Sequence, residues 1–245
     1  VPPIKSEDMP NILFEDKEIL VCCKPAGIAV QNARIGAMDL ESSLKNYLAM
    51  QDGGGRRIPY LAVIHRLDQP VEGILVFGKT PEAAKSLSAQ ITAGKMEKIY
   101  LAVTYGKQAE AGKKEKVLED YLKKDGKSNP SSVVNAHTPG AKKARLSYEV
   151  LGEAVDAISG KKKWLLRIHL DTGRHHQIRV QMAHAGMPLA GDRKYGAGTN
   201  VTIGAGSLAL CAASLTFFHP VTGKVMKFVT KPEGAEFKGI SIPQM

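Results

Sequence analysis

The segment LAVIHRLDQPVEGILVF, residues 61–77, decides the fold. Residues 61–64 and 74–77 are continuous apolar runs, which are typical of strands buried on both faces. Residues 65–73 between them are polar, so they predict a loop whose two ends are fixed in the core. Asp68 on that loop would be held rigidly while its carboxylate faces solvent, which suits a nucleophile or a general base. The alternative is an ordinary turn-capping aspartate beside Pro70.

The segments on either side mix helix and strand patterns without a regular β-α-β repeat. Thr80 as N-cap, Pro81 at the first position and Gly94 beyond the end predict a helix. Residues 98–104 alternate between apolar and polar side chains, which predicts a strand. These patterns indicate an α+β fold with a mixed sheet. Hairpins are predicted at residues 12–22 and 217–229, strands at 146–151 and 164–170, and helices around 44–48 (ended by the glycines at 53–55) and from 174 to 185.

The lysine-rich residues 107–145 have little apolar periodicity until Val117. We interpret them as a mobile excursion around short strands, interrupted by a polar break at residues 128–132, and not as a linker between domains.

The 245-residue chain has an ordinary globular composition, 43% hydrophobic and 24% charged, which excludes a collagen-like fibre or a disordered tail. No apolar stretch approaches the ~18 residues that span a bilayer, and no signal-peptide pattern begins the chain. Cys22, Cys23 and Cys211 form neither an even disulfide set nor a zinc spacing. We therefore expect a soluble, reduced, cytoplasmic protein with no membrane association and no metal.

The charge balance indicates an anionic partner. Lys and Arg number 34 against 24 Asp and Glu, giving a net charge of +10. A basic excess of this size is typical of proteins that bind nucleic acid. The excess is concentrated in residues 161–179, where no long amphipathic basic helix accompanies it, which disfavours a membrane surface.

Two further groups are candidates for chemistry. On a helix from residue 174, His175 and Arg179 would lie one turn apart, and the helix N-terminus with Arg174 would be a natural phosphate site. The alternative is a solvated basic helix, and no zinc-binding H-E-x-x-H pattern is present. Tyr100 lies beside Lys98 on the face opposite the apolar residues of its strand, although a lone strand tyrosine usually serves packing.

Taken together, these segments resemble the RluA-type RNA pseudouridine synthases, and the likeness extends along nearly the whole chain. Several motifs occur in the family's order, which is more specific than any one of them. The matching segments are residues 65–68, 73–76 with Lys79, 19–27, 98–103, 172–180, 191–192, 195–196 and 218–220.

The resemblance implies the pseudouridine synthase catalytic fold, with a mixed, largely antiparallel sheet core and flanking helices and loops. It implies an isomerase that converts specific uridines in rRNA or tRNA to pseudouridine without a cofactor. Asp68 would be the catalytic nucleophile, Tyr100 would stack on the target base and act as or position the base that removes the C5 proton, and Arg179 would pair with Asp68. The residues expected to bind RNA or substrate are Arg66, which would hold the RNA opened by extrusion of the nucleotide, with His65, Lys98, Arg174, His176 and Gln177.

Several matters stay open from the sequence. Asp68 could attack the sugar, attack uracil C6 or form a glycal, and the target uridine is not specified. Val71-Glu72 and Gln181 depart from the family pattern outside the Asp–Tyr–Arg set, so they bear on target choice more than on chemistry. A non-catalytic RNA-binding or ribosome-assembly factor on the same scaffold is the alternative function, and a basic hydrolase of small phosphorylated metabolites is a third.

We expect residues 1–10 to be a loose N-terminal segment and residues 11–245 to form one catalytic domain, with no S4-type RNA-binding domain recognisable ahead of the first hairpin. We also expect a monomer, because no evident apolar patch lies beside the basic segment.

Overall fold

The computed structural model describes residues 11–32, 38–51, 58–106, 115–126, 130–156, 160–196 and 207–244. The predicted loose segment at residues 1–10 and the glycines at residues 53–55 lie outside these ranges. The chain divides into two compact units, which we call the first unit (Val1–Met96 with Ser214–Thr230) and the second unit (Glu97–Ala213 with Lys231–Met245). The expectation of one catalytic domain stays a prediction.

The strands pair mainly antiparallel, and the described residues contain three α-helices, so the predicted α+β fold with a mixed, largely antiparallel sheet is confirmed. No helix among the described residues is long and apolar enough to cross a membrane. The elements in chain order are β1 (Asn11–Glu15), β2 (Ile19–Lys24), α1 (Leu40–Gln51), β3 (Ala62–Val63), β4 (Glu72–Gly78), α2 (Pro81–Thr92), β5 (Glu97–Thr104), β6 (Lys116–Lys124), β7 (Ser131–Val134), β8 (Lys142–Val155), β9 (Lys162–Leu170), α3 (Gln177–His184), β10 (Leu210–Phe218) and β11 (Val225–Val229).

In the first unit, β2 pairs antiparallel with both β1 and β4. The predicted hairpin at residues 12–22 forms because Asp16 Oδ1 accepts the backbone N–H groups of Glu18 and Ile19, each at 2.8 Å. Every residue of β4 is buried, as the apolar run predicts. The core of this unit is made by side chains of β2, β4, α2 and the end of β10, and β11 completes the predicted closing hairpin.

In the second unit, β9 pairs antiparallel with β5 and β8, and β6 pairs with β7 and β8. Residues 142–155 form one long strand, of which the predicted strand at residues 146–151 is the middle. The core joins β5, β9 and the start of β10 to the C-terminal residues Phe237 and Ile240. A smaller cluster of Leu122, Ala144 and Val180 packs α3 against β6 and β8.

Three predictions about local structure are wrong in part. Residues 61–64 form only the two-residue strand β3, which is half-buried instead of buried on both faces. Much of the expected excursion is regular sheet, and Ser131 and Ser132 of the expected polar break belong to β7; residues 107–114 and 127–129 lie outside the described ranges. Helix α3 begins at Gln177, three residues later than expected, because His176 adopts a left-handed conformation (φ 53°, ψ 25°) that a right-handed helix cannot contain.

The predicted cap of α2 is confirmed and generates a test. Thr80 Oγ1 accepts the N–H of Ala83 at 3.2 Å and donates to Glu18 Oε2 at 2.7 Å. We expect Thr80→Ala to lower the free energy of unfolding by about 1 kcal/mol, measured by urea denaturation. Thr92→Ala is the matched control, since its hydroxyl donates only to the carbonyl of Ser88 at the exposed end of the same helix. Equal losses in the two variants would contradict the capping role.

Candidate active site

Asp68 lies on the loop that joins β3 to β4 in the first unit. Its carbonyl accepts the N–H of Val71 at 3.0 Å, which closes a turn around the residue. The side chains of Leu67 and Val71 on either side are buried in the core. Asp68 itself is half-buried. The loop therefore has the character that the sequence predicts, a carboxylate-bearing turn anchored at both ends.

The side chain of a buried lysine holds this loop in place. Lys24, the last residue of β2, has a relative exposure of 0%. Its Nζ donates to the carbonyl oxygens of Pro25 (2.8 Å), Ile28 (2.8 Å) and Gln69 (3.1 Å). Gln69, the residue after Asp68, also exchanges two hydrogen bonds with Gly27, from the Gly27 N–H to the Gln69 carbonyl and from Gln69 Nε2 to the Gly27 carbonyl, each at 2.9 Å. The turn at residues 25–28 and the Asp68 loop are thus tied together.

The same lysine contributes to the electrostatics of the loop. Burial lowers the pKa of Lys24 to about 8, although the negative charges of Asp68 and Glu72 oppose the shift. At neutral pH the ammonium is therefore mostly charged. The Asp68 loop therefore carries a buried positive charge beneath a carboxylate whose charge acts on it in turn.

Two predicted binding residues lie on the same loop. Arg66 is exposed. His65 is half-buried, and its Nε2 accepts the N–H of Val76 in β4 at 3.4 Å, so one ring nitrogen faces its own sheet. Their roles in RNA binding stay predictions.

The buried side chain of Arg179 is held by polar and aromatic contacts within the second unit. It lies on α3 with a relative exposure of 6%. Its Nε and Nη2 donate to the two carboxylate oxygens of Asp192, each at 2.8 Å. The guanidinium carbon lies 5.2 Å from the centre of the Tyr195 ring, in cation–π contact. The predicted pairing of Arg179 with Asp68 joins residues of different units and stays a prediction.

Asp192 is itself held in place. Its Oδ1 accepts the N–H groups of Lys194 (2.9 Å) and Tyr195 (3.1 Å). Burial alone would raise the pKa of Asp192, but the hydrogen bond and charge of Arg179 with these two N–H groups lower it below its usual value. Gly191 before it has a φ of +73°, and a Cβ there would lie 2.4 Å from the carbonyl oxygen of Ser207, so only glycine fits.

Residues 172–177 form a turn closed by the buried side chain of Gln177. Its Oε1 accepts the Thr172 hydroxyl (2.7 Å) and the N–H of Arg174 (2.9 Å), and its Nε2 donates to the carbonyl of Arg145 (3.0 Å). One expectation is wrong here: His175 precedes α3, so it does not lie one helical turn from Arg179. The Arg174 N–H is bonded to Gln177 within the turn, and the expected phosphate site stays a prediction.

The remaining predicted residues also lie in the second unit. Tyr100 in β5 has a relative exposure of 6% and lies opposite Ile168 of β9. Burial lowers the pKa of Lys98, and its Nζ lies 3.8 Å from the position that a Cβ on Gly173 would take. The exposed Arg174 donates from Nε to the carbonyl of Lys143 at 2.9 Å. The site roles of these residues, and those of His176 and Gln177, stay predictions.

Sequence reasoning gave no role to three residues on which this geometry depends, Lys24, Asp192 and Tyr195. Each lies inside a segment that carried the resemblance. The only available signal was that Lys24 ends a buried strand and that Asp192 follows a glycine, which is too weak to predict a partner.

Comparison with known proteins identifies the family. The family model described as RNA pseudouridylate synthase matches residues 18–184. The chain belongs to the RNA pseudouridylate synthase family. The predicted family is thereby confirmed, and so is the predicted enzyme class, an isomerase that acts as an RNA pseudouridine synthase.

Individual relatives agree with this assignment. The chain is 30% identical to ribosomal large subunit pseudouridine synthase D of Xanthomonas campestris, over 90% of this chain and 66% of the relative. It is 33% identical to the protein of the same name from Pseudomonas aeruginosa, over 89% of this chain and 67% of the relative. The chain thus spans about two thirds of the length of these curated relatives.

Solved structures support the fold. Human RNA pseudouridylate synthase domain containing 4 matches with a TM-score of 0.71 and 22% identity, covering 91% of this chain and 89% of that one. Human RNA pseudouridylate synthase domain containing 1 matches with the same TM-score and 19% identity, covering 95% of this chain and 86% of that one.

The lowered pKa of Lys24 predicts that the stability of the protein depends on pH. The pKa of Lys24 is about 8 in the folded protein and 10.5 ordinarily, so between these pH values the unfolded chain holds a proton that the folded protein has released. The free energy of unfolding should therefore rise with pH across this window, by at most about 3 kcal/mol. We expect the free energy of unfolding of the wild type, minus that of Lys24→Met, to increase from pH 7 to about 10.5 when both are measured by urea denaturation.

Lys45→Met is the matched control, because Lys45 is a partly exposed lysine of α1 paired with Glu41 in the same unit. The change with pH in the wild type minus Lys24→Met difference should exceed the change in the wild type minus Lys45→Met difference. A flat wild type minus Lys24→Met difference would show that Lys24 does not titrate in this window.

Proposed function

We propose that this chain isomerises uridine to pseudouridine in ribosomal RNA, with Asp68 as the catalytic nucleophile. The observation that carries the proposal is the half-buried Asp68 on a loop fixed by the buried ammonium of Lys24. Membership of the family supplies the reaction, and the loop supplies a rigid carboxylate of the kind that the reaction requires.

The reaction is balanced without any co-reactant. The glycosidic bond from N1 of uracil to C1′ of the ribose breaks, the base turns, and a bond from C5 to C1′ forms. The proton on C5 is lost and N1 gains a proton. A carboxylate nucleophile divides this rearrangement into two easier steps through a covalent intermediate. We therefore assign no metal and no cofactor to the reaction.

Access to the target uridine requires that it leave the stack. Extrusion costs a few kcal/mol in a duplex and less in a loop. The exposed guanidinium of Arg66, two residues before Asp68, is suited to fill the vacated space and bind the opened strand. An aromatic face for the extruded base would offset more of the cost, and we assign that face to Tyr100. Its phenol would also receive, or position the group that receives, the C5 proton.

Arg179 is proposed to pair with the Asp68 carboxylate, as in the family resemblance. A guanidinium beside a carboxylate stabilises its negative charge. Arg179 is suited to this because its Nε and Nη2 are already bonded to Asp192, so its plane is fixed before substrate binds. Preorganised charge of this kind costs no reorganisation during the reaction.

The identity of the RNA is proposed from the relatives. Proteins 30–33% identical to this chain are named for the large ribosomal subunit. The net charge of +10 suits a phosphate backbone. We assign His65, Lys98, Arg174, His176 and Gln177 to the RNA or substrate surface, and we propose that the enzyme acts as a cytoplasmic monomer.

The proposal is tested by release of tritium from ribosomal RNA labelled at uridine C5. We expect the wild type to release tritium into water and Asp68→Asn to lower the rate by at least about 10⁴-fold, because the amide is not a nucleophile. Glu82→Gln, at an exposed carboxylate in the first turn of α2, is the matched control and should keep the wild-type rate.

Binding of the labelled RNA, measured by filter retention, should be the same for the wild type and Asp68→Asn. Equal tritium release from the two proteins, or none from the wild type with either ribosomal or transfer RNA, would refute the proposal. Release from transfer RNA alone would keep the synthase activity and overturn the choice of ribosomal RNA.

A further inference from the structure

The guanidinium of Arg179 is held on two sides by different kinds of contact. Asp192 accepts from Nε and Nη2 along one edge, which fixes the position of the group within its plane. The ring of Tyr195 lies 5.2 Å from the guanidinium carbon, which restricts the tilt of that plane. The carboxylate restricts this tilt less strictly, because hydrogen bonds to carboxylate oxygens tolerate a broad range of out-of-plane angles.

The ring of Tyr195 is in turn fixed through its hydroxyl. The Oη accepts the backbone N–H of Ser131, at the start of β7, at 2.8 Å. It lies 2.7 Å from Nδ1 of His176, which can accept the hydroxyl proton. The rings of Tyr195 and His176 also meet edge to face, with centroids 5.6 Å apart. These contacts leave the phenol little freedom to rotate.

His176 is held in an unusual conformation at the same place. Among the residues that the structure describes, it is the one non-glycine residue with a positive φ. Its ring stacks on His175 with centroids 3.8 Å apart, and His175 Nδ1 lies 2.9 Å from Ser131 Oγ. A left-handed histidine persists only where surrounding contacts determine it, and such residues cluster at functional sites. Ser131, Tyr195 and the two histidines therefore form one closed set of contacts beside Arg179.

We propose that Tyr195 is a positioning residue of the reaction, whose ring sets the tilt of the Arg179 guanidinium and whose hydroxyl is locked by β7 and His176. The inference rests on the proposed role of Arg179. Tyr195 itself touches no reacting atom in this assignment. Because misplacing a catalytic group by about 1 Å can cost 10²-fold in rate, the effect belongs to kcat.

The test compares Tyr195→Phe, Tyr195→Leu and Arg179→Ala, with Tyr105→Phe as the matched control. Tyr105 is a buried tyrosine of the same unit, and its hydroxyl lies 3.2 Å from Asp156 Oδ2 and 3.5 Å from Glu236 Oε2. We expect Tyr195→Phe, which keeps the ring but frees it, to lower kcat by about 10-fold, and Tyr195→Leu, which removes the ring, by about 100-fold. The KM for RNA should stay within a factor of about two for both, because uniform binding is not altered.

Thermal unfolding of each variant separates positioning from stability. Tyr105→Phe measures what removing a buried tyrosine hydroxyl of this unit costs in Tm, and its kcat should stay at the wild-type value. A wild-type kcat in Tyr195→Leu, or a loss in KM alone, overturns the inference. If Tyr195→Leu does not fold, Tyr195→Phe alone tests the inference. A wild-type kcat in Tyr195→Phe would then show that the bonded hydroxyl has no positioning role, which overturns the inference.

Arg179→Ala separates a failure of the inference about Tyr195 from a failure of the proposed role of Arg179. Loss of activity in Arg179→Ala together with full activity in the Tyr195 variants overturns the inference alone. Full activity in Arg179→Ala overturns the proposed role of Arg179 and the inference with it.

Discussion

An ammonium group with no contact to solvent, bonded to three backbone carbonyls, is the constraint on which the first unit depends. Removing a charged lysine from water is costly unless the charge is satisfied, and the carbonyls of Pro25, Ile28 and Gln69 supply three of the bonds that it loses. In exchange, the end of β2 and the loop before β4 are joined at one atom. The position of Asp68 is therefore set by the sheet rather than by the loop's own preferences.

The second unit solves a similar problem with a paired charge. The buried guanidinium of Arg179 would be costly alone, and Asp192 compensates it with two hydrogen bonds while backbone N–H groups satisfy the remaining oxygen capacity. Tyr195 adds an aromatic face whose hydroxyl is also bonded. A polar network that is satisfied throughout is rigid, which is what a preorganised active site requires.

Local patterns in the sequence predict most of the strands and α2, because alternation, capping and apolar runs are local properties. The buried strand β4 and the cap at Thr80 are examples. The loop carrying Asp68 was predictable for the same reason, since core residues flank it on both sides. The family motifs identified the candidate site residues, which periodicity alone could not do.

What the sequence could not predict depends on distant partners. The start of α3 is displaced because His176 is left-handed, and its ring contacts Tyr195, which lies 19 residues away. The burial of Lys24 is hidden because lysine is almost never fully buried, and its partner Gln69 lies 45 residues along the chain. Strand β6 was obscured by its exposed Lys116, Lys123 and Lys124, and the four-residue β7 was too short to show an alternation.

We propose that the Asp68 carboxylate makes pseudouridine in cellular RNA. The most direct measurement is a map of pseudouridine positions across total RNA from cells that lack this gene and carry either the wild-type or the Asp68→Asn allele. We expect at least one position, in ribosomal RNA, that is modified with the wild-type allele and unmodified with Asp68→Asn expressed at the same level. Identical maps from the two alleles would contradict it.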